Sequence, residues 1–301
     1  MAHRDSSCAN DAFFAWPFTQ ATSLSQHVRH VIALRSAVHR WKPNLVHSFS
    51  RLAYLLALLG SDVPAVMSYQ RHTGGKRIGR MASLLGKKLR FTACSEFIAA
   101  MGRPWGGDWD VIPNFVDCDF FEFRNEVPAD APLVFLSRVE EIKGPHLAIE
   151  IARRAQRKLL IAGNIPETPD GIRYWKIKVE PLVDGSLVCY VGAVDDFQKR
   201  DLLQKAAAMI VPVQWGEPFG IVFAEALACG TPVISCPDGA LPEIVRDGEH
   251  GFLIRTIDEG VNAVKRLQTI SRSSCRAHAE SSFSASAVVI QYEALYQGLS
   301  R

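Results

Sequence analysis

The stretch Gln214–Cys236 reads QWGEPFGIVFAEALACGTPVISC, and it predicts a loop, a helix and a strand in succession. The helix pattern covers Phe219–Cys229 and ends at Gly230, because glycine readily takes the left-handed conformation that closes a helix. Apolar runs at Met209–Val213 and Pro232–Cys236 flank it as strands. Continuous apolar strands are typical of a parallel sheet covered on both faces. The stretch therefore predicts a β–α–β unit of a doubly wound α/β domain.

The same alternation of strand and helix patterns continues outward from this stretch. It begins at Leu133 with about one element per dozen residues. A weaker alternation occupies the first part of the chain, from a helix at Leu24–Trp41 to a strand end at Asp110–Pro113. The segment Phe120–Pro132 has two prolines and several charges and is typical of a linker. The fold class predicted is α/β, with two Rossmann-like doubly wound domains.

The loop before the predicted helix offers chemistry suited to a phosphorylated sugar. Ligands of parallel sheets bind at the carboxyl ends of strands, where Glu217 lies, and Glu225 follows inside the helix. Carboxylates accept hydrogen bonds from hydroxyls, and free N–H groups at a helix start favour a phosphate. The residues assigned to this donor-binding helix start are Pro218, Phe219, Gly220 and Ile221. Simpler interpretations stay open: Glu217 as an acid favoured by the helix dipole, and Glu225 as a solvated helix residue.

The whole string resembles the E-x7-E signature of group 1, family 4 glycosyltransferases. Its EPFG block at residues 217–220 and EALACGTPVI block at residues 225–234 match that signature, and the match continues to Leu253. The resemblance implies a GT-B fold of two domains facing a cleft, with a nucleotide-sugar donor bound mainly by the second. It also implies transfer with retention of anomeric configuration, with Glu217 orienting the donor sugar and Glu225 the ribose.

Two basic residues follow the first strand of the second half, in the string SRVEEIKG at residues 137–144. Arg138 and Lys143 there can neutralise a diphosphate leaving group, although a solvated pair of turn charges is the simpler interpretation. The string resembles the family's G-R-x4-K-G, with Ser137 in place of glycine. The resemblance implies that Arg138 and Lys143 bind the donor diphosphate.

Three further positions are donor-binding residues by resemblance. Asn114, in the string VIPNFVD, is expected to line the cleft, with a plain turn residue as the equal alternative. Gly163 ends the strand KLLIAGN and permits close approach of ligand or backbone. Val194 ends the string VGAV, which resembles the strand that borders the donor base.

The acceptor side is harder to assign. His47, in the string NLVHSFS, resembles the first histidine of the family's strand end. An equal alternative is a hydrogen-bonded polar residue at a strand end with no catalytic role. With Arg138, Lys143 and Glu217, His47 completes the predicted catalytic set. Residues 1–59 contain no glycine, whereas the family's first domain usually opens with a strand and a Gly-rich loop ahead of a helix. The first domain is therefore expected to be incomplete at its amino terminus.

The predicted domains are residues 1–125 on the acceptor side, residues 126–284 on the donor side, and a helix at residues 285–301 packing back on the first domain. The last of these is amphipathic over Ala285–Leu299.

Composition excludes several classes of protein. A net charge of +3 without a long basic run predicts no nucleic-acid partner. Seven cysteines without a CxxC pair, Cys8 among them, predict reduced thiols, and the polar chain start lacks a signal peptide. We expect a cytoplasmic protein, with peripheral contact at the inner membrane face left open.

The predicted activity is metal-independent transfer of a sugar from a nucleotide-diphosphate sugar, with no cofactor and no metal ligand. The acceptor is a glycan, a lipid-linked saccharide or a small molecule. A catalytically silent nucleotide-sugar-binding protein is the main alternative, and an epimerase or a phosphorylase of the same fold is a weaker one.

Overall fold

The computed structural model describes residues 22–299. The polar chain start and Cys8, which enter the predictions on localisation and thiols, lie outside the described residues. The chain packs as two compact units. The first holds residues up to Cys94, Ile98–Ile112 and the chain from Tyr292, and the second holds Ser95–Phe97 and Pro113–Gln291.

The first unit is built on a four-stranded parallel sheet with the strand order β1-β2-β3-β4. The strands are β1 (Val46–Ser48), β2 (Ala65–Tyr69), β3 (Leu89–Ala93) and β4 (Asp108–Val111). The helices of this part of the chain are α1 (Leu24–Trp41), α2 (Lys76–Leu85) and α3 (Glu96–Gly102). Because all neighbours are parallel, each connection must cross a face of the sheet, which buries both faces.

The core of the first unit packs residues from the sheet, from α2 and from the segment between β1 and β2; they include Leu55, Leu58, Met67, Ile78 and Phe91. The sequence pattern predicts an ordinary helix at residues 51–59, but Leu52–Leu58 forms a 3₁₀ helix. Its buried residues fall at 54, 55, 57 and 58. That spacing of three matches three residues per turn, so the tighter helix buries them on one face.

The second unit contains a six-stranded parallel sheet with the order β10-β9-β8-β5-β6-β7. The strands are β5 (Leu133–Leu136), β6 (Leu159–Ala162), β7 (Val188–Gly192), β8 (Ala208–Val211), β9 (Val233–Ser235) and β10 (Gly251–Leu253). The remaining helices are α4 (Pro145–Arg154), α5 (Pro169–Tyr174), α6 (Asp196–Lys205), α7 (Ile221–Ala228), α8 (Leu241–Ile244), α9 (Ile257–Lys265), α10 (Arg272–Phe283) and α11 (Ala285–Leu299).

The strand order defines where a ligand can bind in the second unit. From β5 the chain moves outward on one side to β7, then returns to β8 and moves outward on the other side to β10. The direction therefore reverses between β5 and β8, which are hydrogen-bonded neighbours. In open α/β sheets such a switch point, outside the carboxyl ends of the strands, is where ligands bind. The loops at residues 137–144 and 212–220 meet there.

The predicted fold class, two Rossmann-like doubly wound α/β domains of the GT-B class, is confirmed. A second helix also differs from the sequence pattern, which predicts it at Arg173–Val183; it begins earlier, at Pro169, because Thr168 caps it there. It continues through a π-helical turn at Trp175–Val179 and a 3₁₀ turn at Glu180–Leu182. The domain boundaries placed at 125/126 and 284/285 stay predictions; the two compact units meet along the chain at Ile112/Pro113 and Gln291/Tyr292.

Two further findings concern membrane crossing and the state of the cysteines in residues 22–299. Among residues 22–299, no helix combines the length and the apolar character that a membrane crossing requires. The six cysteines in that range are all free thiols.

Candidate functional site

The loop between β8 and α7 is held in place by its own backbone. Gly220, directly before α7, has a φ of 80°, and a Cβ there would lie 2.5 Å from the Phe223 ring. Pro218 and Phe219 are buried, and the Pro218 carbonyl accepts a hydrogen bond from Ser95 Oγ at 2.6 Å. Ile221, the first helical residue, is half exposed. The helix start is therefore rigid, while its first residue faces solvent.

Gly239 supports the same loop from the segment after β9. Its φ is 66°, and a Cβ there would lie 2.3 Å from both the backbone nitrogen and the carbonyl oxygen of Glu217. Ala240 N–H donates to that carbonyl at 2.8 Å. Gly239 lies within the string that matches the family signature, but no local signal in the sequence indicates that it packs on Glu217.

Lys143 and Glu217 form the centre of the site. Lys143 Nζ lies 2.6 Å from Glu217 Oε2, and their side chains are 11% and 10% exposed. Trp215 Nε1 donates to the same carboxylate oxygen at 3.0 Å, and its ring centroid lies 4.7 Å from Lys143 Nζ. Burial of two charges is costly unless each is paired, and here each is. The structure thus brings together two predicted residues and adds Trp215, which the sequence analysis missed.

Arg138 lies on the same loop as Lys143 but has a different partner. Its guanidinium forms an ion pair with Glu140 at 2.8 Å and is 58% exposed. It is therefore not part of the buried Lys143–Glu217 pair. Its exposure leaves the guanidinium able to move toward an anion at the edge of the site.

At Gly163, which follows β6, the backbone packs closely against the backbone of the loop after β5. Its φ is 146°, and a Cβ there would lie 1.8 Å from the Ser137 carbonyl oxygen. Tyr190 Oη donates to the Gly163 carbonyl at 2.9 Å. The close approach predicted for this glycine therefore comes from the loop after β5, and it fixes the start of the loop that carries Arg138.

Glu225 is buried on α7, where it accepts from Lys199 Nζ at 2.8 Å. Lys199 also pairs with Asp196 at 3.0 Å. Burial raises the pKa of Glu225 above its usual value, and the Lys199 ammonium opposes that rise. Lys199 is a second cation that sequence reasoning missed, because α6 offers no pattern that separates it from a surface lysine. Val194, at the start of the connection into α6, is half-buried.

Asn114 and His47 belong to different units. Asn114 is half-buried in the second unit, and its side chain has no hydrogen-bond partner among residues 22–299. His47 is on β1 of the first unit, where Nδ1 lies 2.6 Å from Tyr296 Oη and Nε2 lies 2.6 Å from Ser68 Oγ. Burial lowers the pKa of His47 to about 4. Both ring nitrogens are therefore engaged, and the imidazole is neutral at neutral pH.

Metal ligands were not predicted for this chain. Between residues 22 and 299, no group of three or more His, Cys, Asp and Glu side chains is arranged to hold a metal ion. The positive charges of the described site come from Lys143, Lys199 and Arg138. Metal independence itself stays a prediction.

The two Rossmann-like sheets, with a buried lysine–glutamate pair at the switch point of the second, define a protein of the GT-B class. Residues 119–277 match the family model for glycosyl transferases group 1, and residues 3–120 match the model for glycosyltransferase family 4. The chain belongs to the group 1, family 4 glycosyltransferases.

Curated relatives share the family over part of their length. A D-inositol 3-phosphate glycosyltransferase of Xylanimonas cellulosilytica is 28% identical over 240 residues, covering 72% of this chain and 56% of the relative. A glycogen synthase of Mycobacterium tuberculosis is 27% identical over 240 residues, covering 70% of this chain and 56% of the relative. The chain thus spans about half the length of the curated relatives it matches.

Solved structures share the fold at low identity. A glycosyltransferase from Rickettsia africae superposes with a TM-score of 0.76 at 16% identity, covering 94% of this chain and 83% of that one. Anabaena HepE in complex with UDP superposes with a TM-score of 0.75 at 19% identity, covering 89% of this chain and 82% of that one.

Proposed function

We propose that this protein transfers a sugar from a nucleotide-diphosphate sugar to a hydroxyl acceptor. The observation that carries the proposal is the Lys143–Glu217 pair at the β5/β8 switch point, buried and joined by Trp215. A switch point is where open α/β sheets bind nucleotides. A lysine beside a carboxylate can meet a phosphate and a sugar hydroxyl at the same time.

Family membership supports the same reaction class. The curated relatives are named a D-inositol 3-phosphate glycosyltransferase and a glycogen synthase, and both names describe sugar transfer. The structure of Anabaena HepE is described in complex with UDP-glucose. We infer a uridine nucleotide as the first donor to test, and an acceptor drawn from glycans, lipid-linked saccharides or small molecules.

Different residues are proposed to bind the diphosphate, the sugar and the ribose of the donor. Lys143 and the exposed Arg138 hold the diphosphate, together with the backbone N–H groups that begin α7 after Gly220. Glu217 accepts from hydroxyls of the donor sugar, and Glu225 from the ribose. When donor binds, a phosphate oxygen shares the Lys143 ammonium, which frees Glu217 for the sugar. Pro218, Phe219 and Gly163 hold the backbone of these loops.

The proposed reaction retains the anomeric configuration. The bond between the anomeric carbon and the diphosphate oxygen breaks while the acceptor oxygen bonds to that carbon from the same face. The acceptor proton passes to the departing phosphate oxygen, so no protein nucleophile is needed. Lys143 and Arg138 stabilise the negative charge that develops on the leaving group, which is the role otherwise given to a metal ion.

A thermal-shift panel with UDP, GDP, ADP and their sugar conjugates tests donor binding. A ligand that binds only the folded state stabilises it by about 2.7 kcal/mol at roughly 100-fold excess over Kd. We expect one nucleotide series to raise the melting temperature, and Lys143→Ala to abolish the shift measured against its own ligand-free midpoint. Lys205→Ala, at an exposed lysine on α6, is the matched control and retains the shift.

Turnover is tested separately from binding. With the donor identified, release of free nucleotide is followed with acceptor candidates, and NMR of the product reports the anomeric configuration. Release that persists in EDTA supports metal-independent transfer. Donor binding without transfer or hydrolysis would favour the silent binding protein instead. No shift with any nucleotide would reject the donor site.

A further inference from the structure

The first unit is rich in basic side chains, and residues 24–51 already carry Arg29, Arg35, Arg40, Lys42 and Arg51. Residues 63–94 and 98–107 contain eight lysines and arginines and no aspartate or glutamate. They are Arg71, Lys76, Arg77, Arg80, Lys87, Lys88, Arg90 and Arg103. The whole chain has a net charge of only +3, so its remaining residues are net negative. The positive charge is therefore concentrated in the first unit rather than spread over the whole chain.

Part of this charge is neutralised locally and part is not. Lys88 pairs with Asp62, and Arg90 pairs with Asp108 and Asp110. Five others are exposed, and within the described residues none of them forms an ion pair; they are Arg71, Lys76, Arg77, Arg80 and Lys87. Exposed cations without carboxylate neighbours produce an outward positive potential that can attract an anionic surface.

The helix α2 presents this charge together with apolar side chains. It buries Ile78 and Met81 on its inner side. Lys76, Arg80 and Leu84 follow each other at intervals of four residues, which places them on one outer face. Leu84 is 57% exposed there.

Trp105 extends the same face from the neighbouring 3₁₀ turn and is 42% exposed. A Cβ on Gly79 would lie 2.3 Å from the Trp105 carbonyl oxygen, so this glycine lets the turn pack directly against α2. Between the turn and the helix lies an open depression of about 620 Å³. Its lining is Lys76, Gly79, Arg80, Ser83, Leu84, Pro104 and Trp105, without an acidic side chain.

We propose that this surface, the basic α2 face formed by Lys76, Arg80, Leu84, Lys87 and Trp105, docks on an anionic membrane. Charge complementarity alone would also suit a nucleic acid. The exposed leucine and tryptophan between the cations favour lipid, because tryptophan prefers the membrane interface and leucine the acyl boundary. Each basic side chain near an anionic bilayer strengthens binding about fivefold. The inference goes beyond sugar transfer and does not depend on it.

The test is flotation of the full chain with vesicles of phosphatidylcholine alone or with about one third phosphatidylglycerol. We expect binding to the anionic vesicles, weakening as salt shortens the range of the charges. The variant Lys76→Glu with Arg80→Glu should lower the partition coefficient at least about twentyfold. Trp105→Ala should weaken binding while leaving its salt dependence intact.

The control is Lys205→Glu with Lys265→Glu, which changes the net charge equally at exposed residues of the second unit. It should bind as the unaltered chain does, and circular dichroism checks that every variant is folded. If Lys76→Glu with Arg80→Glu unfolds, Lys76→Gln with Arg80→Gln replaces it. Equal binding to both vesicle types, no binding at low salt, or an effect of the control as large as that of the α2 variant would overturn the proposal. So would binding of single-stranded RNA, but not vesicles, through the same residues.

Discussion

Lys143 and Glu217 are each buried because the other is present. Their contact at 2.6 Å compensates two charges that would otherwise be costly at 11% and 10% exposure. The Trp215 indole adds a second donor to the same carboxylate. The Glu217 carboxylate is therefore held by two donors, the Lys143 ammonium and the Trp215 indole.

Removing one partner of this pair should lower the free energy of unfolding more than replacing both partners. We expect Lys143→Ala to lower the free energy of unfolding by roughly 3–5 kcal/mol, because it leaves the Glu217 carboxylate buried without a counter-ion. The double variant Lys143→Met with Glu217→Gln should recover much of that loss. Urea unfolding measures both. Equal losses in the single and double variants would mean that the pairing contributes little to stability.

Comparing two glycines that both have a left-handed backbone distinguishes the cost of backbone strain from the cost of a steric clash. Gly239 has a φ of 66° and lies against the Glu217 backbone, whereas Gly248 has a φ of 79° and nothing within 4 Å of its Cβ position. In both alanine variants the left-handed conformation should lower the free energy of unfolding by about 1–2 kcal/mol. We expect Gly239→Ala to cost at least about 2 kcal/mol more and to weaken nucleotide binding. Chemical unfolding and the nucleotide panel of both variants check this, and similar results for the two would contradict it.

At the scale of elements, one buried arginine joins three segments of the second unit. Arg272, the first residue of α10, is 9% exposed, and burial lowers its pKa to about 10, so it stays charged at neutral pH. Its guanidinium donates to the carbonyls of Arg124, Gln204, Ala206 and Cys229 and to the Thr231 hydroxyl. It therefore donates to carbonyl groups at the carboxyl ends of both α6 and α7.

Replacing this arginine should loosen all three segments together. We expect Arg272→Met to lower the free energy of unfolding by about 3 kcal/mol or more, since it removes every hydrogen bond that the guanidinium donates to these three segments. Arg246→Met is the control, because the Arg246 side chain is 65% exposed. Urea unfolding of both variants measures the difference, and a loss below about 1 kcal/mol for Arg272→Met would show that the carbonyl groups find other donors.

At the scale of the whole molecule, buried histidines make stability depend on pH. Burial lowers the pKa of four of them below the ordinary 6.5: His47 and His250 to about 4, and His146 and His278 in the same direction. The unfolded chain therefore binds more protons than the folded chain between about pH 6.5 and pH 4. Stability is fully present above 6.5 and is lost as the pH falls toward 4.

The variant His250→Phe tests this dependence. His250 stacks on His278 with ring centroids 4.1 Å apart, and its Nδ1 has no hydrogen-bond partner among the described residues. A phenyl ring keeps the stacking and removes one titrating group. We expect a smaller fall in melting temperature between pH 6.5 and pH 4.5 than in the unaltered chain, with His39→Gln, on exposed α1, as the control. An unchanged slope would exclude His250 as a contributor.

Many of the strands and helices could be predicted from the sequence because each depends on residues that are close together along the chain. The apolar runs that became β5, β8 and β9 are buried along their whole length, as parallel strands must be. The helix Leu24–Trp41 was predicted to the residue. The 3₁₀ helix at Leu52–Leu58 was not, because spacings of three and of four differ little over seven residues.

The sequence by itself determined the family, the two parallel sheets and the loops that face the switch point, because each depends on residues close together along the chain. Only the tertiary structure decided which charges meet. Lys143 and Glu217 are separated by 74 residues and Lys199 and Glu225 by 26, and no local period relates either pair. Arg138, adjacent to this site in sequence, pairs with Glu140 instead. Strand order, which is set by long-range packing, is what places these side chains together or apart.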